Sequence, residues 1–244
     1  RIAGSIINNR LSERVKKEGA VITGGGCYAQ DFMDFVRFSS IYVTCEPGNW
    51  GGALAVAEQE IRRALSHGFT RAEFDEVVAN MRNGYEQAVR SAASRKSRGL
   101  ADRLVTSISR SKVFSSPRQV LDWFNGKISL ITPEVCLAGL RDAWDSVDRQ
   151  LFIGGNVKIA GGAKEIIGIY KQAGLVPVEP LREIKQSSFA YTSFGKPGKI
   201  VERVDINDLG ITQLRFSNNV RLNLKRTDFE KDTVSIGVRI GGGL

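Results

Sequence analysis

Histidine is almost absent from this chain of 244 residues, in which His67 is the single example. Catalytic zinc sites use two or three histidines or a His–carboxylate set, and Ser/His/Asp and Cys/His centres each need a histidine beside the nucleophile. No G-x-S-x-G nucleophile motif is present either. Because His67 falls in the last turn of a predicted helix, where a polar residue suits the helix dipole, we interpret it as structural. We therefore expect no catalytic residue and no metal ligand in this chain.

Cysteine is also scarce, with Cys27, Cys45 and Cys136 and no C-x-x-C pair. An odd number of separated thiols predicts neither a disulfide framework nor a thiolate zinc site. We interpret the three as small core residues, which leave the redox compartment open. No apolar run approaches the roughly 18–20 residues that span a bilayer, so we expect no transmembrane segment.

Acidic residues are outnumbered, and the net charge is +9. One stretch is densely basic: Arg90, Arg95, Lys96, Arg98, Arg103, Arg110 and Lys112. It contains no aromatic residue that could stack on bases and no nucleic-acid motif, so we expect no nucleic-acid partner. We therefore interpret the basic stretch either as a solvated helix face or as a wall that attracts substrate.

Gly24, Gly26 and Ala29 form a G-x-G-x-x-A pattern after an apolar stretch. A dinucleotide fingerprint must open a helix, because the pyrophosphate binds at the helix N-terminus. The residues that follow alternate with period two, which predicts a strand. We therefore expect no nucleotide site here.

The hydrophobic periodicity predicts an α+β fold, with helices packed on one face of a mainly antiparallel sheet. We expect Arg10 and Arg14 on the polar side of the first helix, in a structural or surface role. Capping patterns predict helix starts at Thr70, Ser116 and Thr132. The predicted elements are a helix at 5–18, strands at 21–26 and 35–45, helices at 49–67 and 70–92, and helical character that resumes at 100–108. They continue with two helices after 116 and 132, a strand at 149–157 and a helix at 163–174.

Three segments follow from this pattern. Residues 1–175 form a domain truncated at its N-terminus, and residues 176–199 form a proline-containing interdomain linker without sustained periodicity. Residues 200–244 carry the first strands of a further domain, with apolar alternation at 214–224 and 234–240. The break at residues 217–219 predicts a bulge or a turn.

The linker and the tail, "FAYTSFGKPGKIVERVDINDLGITQLRFSNNVRLNLKRTDFEKDTVSIGVRIGGG", resemble the junction between the second and third domains of the pitrilysin/insulinase zinc metallopeptidases, the inverzincins. The family pattern is L-x-L-x-N-G-V-R-V, then K-x-T-x-F and a later G-G turn. Asn219 replaces the usual glycine and tolerates the same positive φ. "NNRLSERVKKEGAVITGGG" is similar to the non-catalytic second domain. The tail positions that match are Leu214, Phe216, Asn218, Val220, Arg221, Leu222, Lys225, Thr227, Phe229, Gly241 and Gly242.

The resemblance implies a parent protein of four similar domains in two halves that enclose a chamber. In the family, H-x-x-E-H and a distant Glu on the first domain carry the zinc chemistry. This chain holds none of that motif, so the resemblance implies zinc in the parent and none in this segment. We interpret the sequence as a piece of a longer peptidase, inactive by itself.

The resemblance also implies a peptide-docking edge strand, formed by Val21, Ile22, Thr23, Gly24, Gly25 and Gly26. Backbone pairing accepts any peptide sequence, and glycines let a second backbone come close. The alternative is that the three glycines only turn the chain.

Three functions remain open at this point. The first is the non-catalytic segment of a zinc endopeptidase that degrades peptides, with peptide substrate and the other domains of the parent as partners. The second is a segment of a catalytically inactive family member that acts as an assembly subunit. The third is a basic binding module. Free strand edges in the tail also predict self-association. Bacterial relatives are often exported, so the resemblance favours a periplasmic or exported parent, with the cytoplasm as the alternative.

Overall fold

The structure is a computed structural model that describes residues 1–32, 35–145, 148–181, 192–229 and 234–241. The chain divides into two compact units, Arg1–Glu86 with Ala101–Glu183 and Gln87–Leu100 with Ile184–Leu244. The elements in chain order are α1 Ile2–Val15, β1 Gly24–Phe32, β2 Val36–Thr44, α2 Trp50–His67, α3 Arg71–Arg90, α4 Ser97–Ser109, α5 Pro117–Lys127, α6 Pro133–Trp144, α7 Gly162–Leu175, β3 Ile200–Ile206, β4 Ile211–Phe216 and β5 Arg221–Lys225.

Local capping interactions set the helix ends that the sequence predicts. Gly68, with φ of 70°, ends α2, and its N–H donates to the Ala64 carbonyl. At the start of α3, the Glu73 N–H donates to Thr70 Oγ1, and the Thr70 N–H donates to Glu73 Oε2 at 2.8 Å. Ser116 forms the same reciprocal pair with Gln119 before α5. These contacts satisfy backbone donors that the first helical turn leaves free.

The core of the first unit forms where α1 packs on the β1–β2 ribbon and α2 packs on β2 and α7. Ile6, Ile7 and Leu11 of α1 are at most 1% exposed, and they pack with Ile22, Ala64 and Phe74. Burying each large aliphatic side chain contributes about 1.5–3 kcal/mol. The α+β class with helices against antiparallel strands is therefore confirmed.

Arg10 is buried in this core rather than placed on the polar side of α1, so that expectation was wrong. Its side chain is 6% exposed and pairs with Glu73 at 2.6 Å. Glu60 of α2 is 1% exposed and accepts from Arg14 Nε at 3.0 Å and Arg63 Nη1 at 2.6 Å. Because α2 and α3 both cover this part of α1, charged side chains there must find partners inside.

The second unit contains a three-stranded antiparallel sheet in the order β3–β4–β5. A tight turn joins β4 to β5, and Asn219 there has φ of 65°. The Phe216 N–H donates to the Val220 carbonyl and closes the turn. This confirms that Asn219 takes the positive φ expected of the glycine that it replaces. The break at 217–219 is thus a hairpin turn.

Two predicted strands do not form. Residues 149–157 are irregular, with Phe152 92% exposed and Gly154 and Gly155 interrupting the segment. Residues 234–240 alternate in sequence but pair with no strand among the described residues, and their apolar side chains are 78–89% exposed. Alternation makes a strand only where another strand supplies hydrogen bonds.

The linker is described only in part, since residues 182–191 lie outside the described ranges, as does Gly242 of the tail pattern. The boundaries at 175 and 199 stay predictions. Across the described ranges, no helix has the length and apolar character needed to cross a membrane.

Candidate peptide-docking edge

The six residues predicted to dock peptide, Val21–Gly26, lie at the start of the β1–β2 ribbon, and we call them the docking edge. Only the glycines belong to β1, which begins at Gly24. Ile22 is 2% exposed and joins the core, while Val21 is exposed. The Thr23 N–H donates to the Thr44 carbonyl at 2.7 Å. The regular strand therefore starts three residues later than expected, although Thr23 is already tied to β2.

The glycines of the docking edge allow close packing and do not turn the chain. Gly24, Gly25 and Gly26 pair with Thr44, Val43 and Tyr42 in the antiparallel register. None of the three has positive φ. A Cβ on Gly25 would lie 2.8 Å from the Tyr42 carbonyl oxygen, and one on Gly26 would lie 2.8 Å from the Tyr42 ring. The alternative in which these glycines only turn the chain was wrong.

Helix α1 closes part of the outer edge of β1. The Cys27 N–H donates to Asn8 Oδ1 at 2.5 Å, and Gly4 lies against the Cys27 carbonyl. Backbone groups of an antiparallel strand alternate between its two sides. Within the regular ladder, which starts at Gly24, the Cys27 N–H points away from β2, so the backbone groups of Gly25 point to the same outer side. The edge is thus bonded to α1 at Cys27, whereas the described residues give Gly25 no hydrogen bond on this outer side.

Gly4 and Asn8 were missed from the sequence. They are four residues apart on α1, so they lie on one side of that helix. That spacing was visible in the sequence, but nothing in it showed that this side faces the edge of β1.

The solvent-facing side of the ribbon carries three aromatic rings next to the docking edge. Tyr28 lies 6.1 Å from Phe38 and 6.2 Å from Tyr42, measured between ring centroids. Their exposed fractions are 42%, 36% and 51%. An edge-to-face arrangement such as that of Tyr28 and Phe38 is favourable for aromatic pairs. A peptide added at Gly25 would lie beside this apolar surface.

The residues that the structure describes do not fit a zinc site. They contain no group of three or more His, Cys, Asp and Glu side chains that could hold a metal ion.

Burial raises the pKa of Cys27 to about 11 and also raises that of Cys136, so both thiols stay protonated. His67 Nε2 lies 2.7 Å from the Val178 carbonyl, which can only accept, so this nitrogen donates.

His67 belongs to a set of α2 side chains that hold the end of α7 and the chain that follows it. Three side chains at the end of α2 donate hydrogen bonds to backbone carbonyls of residues 173–179: Arg62, Arg63 and His67. This explains His67 as a structural residue, and we call residues 173–179 the strap. The bonds are from Arg62 to Ala173 (2.8 Å) and Val176 (2.7 Å), from Arg63 to Glu179 (3.0 Å) and from His67 to Val178.

Comparison with known proteins agrees with this architecture. Residues 2–81 match the family model described as the Peptidase M16 inactive domain. A search of curated proteins returns no match. The matched range contains α1, β1, β2, α2 and the docking edge.

Several solved structures share the fold. The periplasmic protease PqqL from Escherichia coli is 19% identical with a TM-score of 0.60, over 92% of this chain and 25% of that one. A predicted insulinase family protease from Yersinia pestis is 16% identical with a TM-score of 0.57, over 70% and 37%. The ferredoxin protease FusC, solved as a mutant in complex with Arabidopsis ferredoxin, is 15% identical with a TM-score of 0.52, over 93% and 26%.

Residues 2–81 are thus similar to the inactive domain of M16 peptidases, and the solved structures share the fold over most of the chain. The resemblance to the pitrilysin/insulinase family is confirmed, and residues 2–81 match its inactive domain. The chain spans about a quarter of the length of PqqL and of FusC.

Proposed function

We propose that this chain is the non-catalytic segment of a zinc-dependent metalloendopeptidase that degrades peptides. It forms part of the chamber wall and docks extended peptides at Val21–Gly26. The match of residues 2–81 to the inactive domain carries the proposal. The open backbone at Gly25 supports the docking role, because an extended peptide can add to an exposed strand edge through main-chain hydrogen bonds.

Zinc in this proposal belongs to another domain of the parent, since the described residues here offer no fitting ligand set. The purified chain is expected to hold no stoichiometric zinc and to leave peptides intact. Metal analysis and a peptide-cleavage assay test this part. One tightly held zinc per chain, with cleavage lost on chelation, would contradict it.

Docking through the backbone has a specific signature in the ligand. When a peptide pairs with a strand, alternate residues point their N–H groups at that strand. Methylating the peptide nitrogens in one alternate set should abolish binding to the chain, and methylating the other set should preserve it. If methylation of each set weakened binding equally, or if neither set weakened it, docking at this edge would be overturned.

The parent is periplasmic in this proposal, because one structural neighbour, PqqL, is a periplasmic protease. Fractionation of cells that produce the complete parent tests the compartment. Recovery with the periplasmic contents supports the proposal, and recovery with the cytoplasmic contents opposes it.

The tail sheet is the proposed site of self-association. β3 and β5 are its two outer strands, and Val201, Val204 and Leu224 are 45–52% exposed. Strand edges of this kind pair readily with another chain. A chain ending at residue 199 should shift toward monomer in sedimentation experiments. An unchanged association state would contradict this role.

A further inference from the structure

Two side chains of β2 cross to the glycines of β1 on the solvent-facing side of the ribbon. Gly24 and Gly26 pair with Thr44 and Tyr42, so these four residues share one side of the sheet. A Cβ on Gly26 would lie 2.8 Å from Cε1 and 2.9 Å from Oη of Tyr42, which are atoms at the far end of that side chain. The Tyr42 ring therefore reaches across Gly26 toward the outer edge of β1.

The outward-pointing backbone of Gly25 determines where the side chains of a docked peptide lie. A strand added there pairs with the N–H and carbonyl of Gly25 and continues the sheet. A Cβ on Gly25 would lie 3.3 Å from Leu11 of the core, so the peptide residue opposite Gly25 points to that same side. The two flanking peptide residues point to the solvent-facing side instead, one beside Gly24 and one beside Gly26.

The peptide position beside Gly26 is bordered by two tyrosine rings. Because Gly26 has no side chain, a peptide side chain next to it meets the Tyr42 ring directly. Tyr28 follows two residues later on the same side of β1, and its ring centroid lies 6.2 Å from that of Tyr42. The position beside Gly24 differs, because a Cβ on Gly24 would lie 2.9 Å from the Thr44 hydroxyl oxygen. We call Tyr28 and Tyr42 the tyrosine pair.

We propose that the tyrosine pair selects peptides with an aromatic side chain at the residue beside Gly26. Aromatic rings favour edge-to-face contacts, and the Tyr42 ring presents edge atoms at Gly26. Tyr28 and Tyr42 are 42% and 51% exposed, so an added ring removes apolar surface from water. The inference rests on the proposed docking at Val21–Gly26. It adds a side-chain preference to backbone pairing, which by itself accepts any sequence.

The test compares two proline-free peptides of Thr and Ser that differ only in a central Phe or Ala. Their dissociation constants are measured from the Gly24 and Gly25 amide shifts of the ¹⁵N-labelled full chain. The Phe peptide should bind roughly three- to tenfold more tightly, since an aromatic pair contributes beyond the area that it buries. Tyr42→Thr, which keeps a residue favoured in strands, should bring the two dissociation constants close together. Tyr28→Thr should reduce the preference as well.

The matched control, Trp123→Gln, removes an aromatic ring of α5 that lies outside the ribbon and is 68% exposed. This variant should keep the preference for the Phe peptide. Equal dissociation constants of the Phe and Ala peptides for the unchanged chain, or a preference that survives Tyr42→Thr, would overturn the selection and leave docking intact. If neither peptide shifted the Gly24 and Gly25 amides, docking at this edge would fail and the selection with it.

Discussion

Arg10 holds the carboxylate of Glu73 through two hydrogen bonds, 2.6 Å from Nε to Oε1 and 2.9 Å from Nη2 to Oε2. The Arg10 Nη2 also donates to the Gly68 carbonyl at 2.9 Å. Glu73 in turn accepts the Thr70 N–H, which starts α3. One carboxylate therefore begins a helix and anchors α1, the helix that closes β1 at Cys27.

Replacing Arg10 tests this anchor. Arg10→Met keeps much of the volume but leaves Glu73 without its partner cation, whereas Glu60 keeps Arg14 and Arg63. Breaking a buried pair in this way costs about 3–5 kcal/mol. Guanidinium unfolding measures the loss. Arg71→Met is the control, because Arg71 and Asp75 are exposed and such pairs contribute about 0–1 kcal/mol. Similar losses in both variants would show that the buried pair has no special role.

The same pair predicts acid sensitivity. Burial alone would raise the pKa of Glu73, but hydrogen bonds from Arg10 and Thr70 outweigh it and lower that pKa. The pair therefore stabilises the fold fully above the usual glutamate pKa of about 4.3 and loses this contribution as pH falls through the lowered value.

Comparing the chain with Glu73→Gln at several pH values measures this effect. The unchanged chain should be more stable at neutral pH, and the difference should shrink below about pH 4. Glu13→Gln, which removes an exposed partner of Lys16, should change stability little at any pH. A difference for Glu73→Gln that stayed constant down to acid pH would refute the linkage.

The packing at Gly25 predicts opposite effects of alanine at two glycines. Gly25→Ala places a Cβ 2.8 Å from a backbone oxygen, and overpacking of this kind costs about 1–3 kcal/mol. Gly84→Ala in α3 meets nothing within 4 Å and should stabilise by about 0.5–1 kcal/mol. Thermal unfolding compares the two. Tolerance of alanine at Gly25 would mean that β1 and β2 lie further apart than described.

The strap predicts a local change in hydrogen exchange. Arg62→Met removes the donor to the Ala173 and Val176 carbonyls, so amides of the strap, residues 173–179, should exchange faster while α2 stays protected. Arg82→Met, which loses only an exposed bond to Asn125, is the control and should leave the strap unchanged. Unaltered exchange in Arg62→Met would show that other contacts hold this segment.

Local features were predictable from the sequence, and long-range ones were not. Thr70 and Ser116 cap helices through residues three positions away, so the pattern and the contact lie in the same short stretch. Arg10 and Glu73 are 63 residues apart, and only the fold brings them together. The strand predicted at 149–157 failed for the same reason, because pairing depends on a distant partner.

The candidate site shows the same limit. The glycine run beside an alternating strand, together with the family pattern, predicted a docking strand at Val21–Gly26, but the start of β1 at Gly24 and the bond from Cys27 to Asn8 depend on how α1 packs. Sequence alone could not assign which backbone groups of β1 stay open.

The most direct test of the account is an NMR titration of the ¹⁵N-labelled chain with an extended, proline-free peptide. Docking at the edge predicts the largest amide shift changes at Gly24, Gly25 and Gly26, while the Cys27 amide, already bonded to Asn8, keeps that bond. The three-stranded sheet of the tail should stay unaffected. Saturating peptide that leaves the Val21–Gly26 amides unshifted, or shifts other surfaces instead, would contradict the central claim that this non-catalytic segment docks peptide on β1.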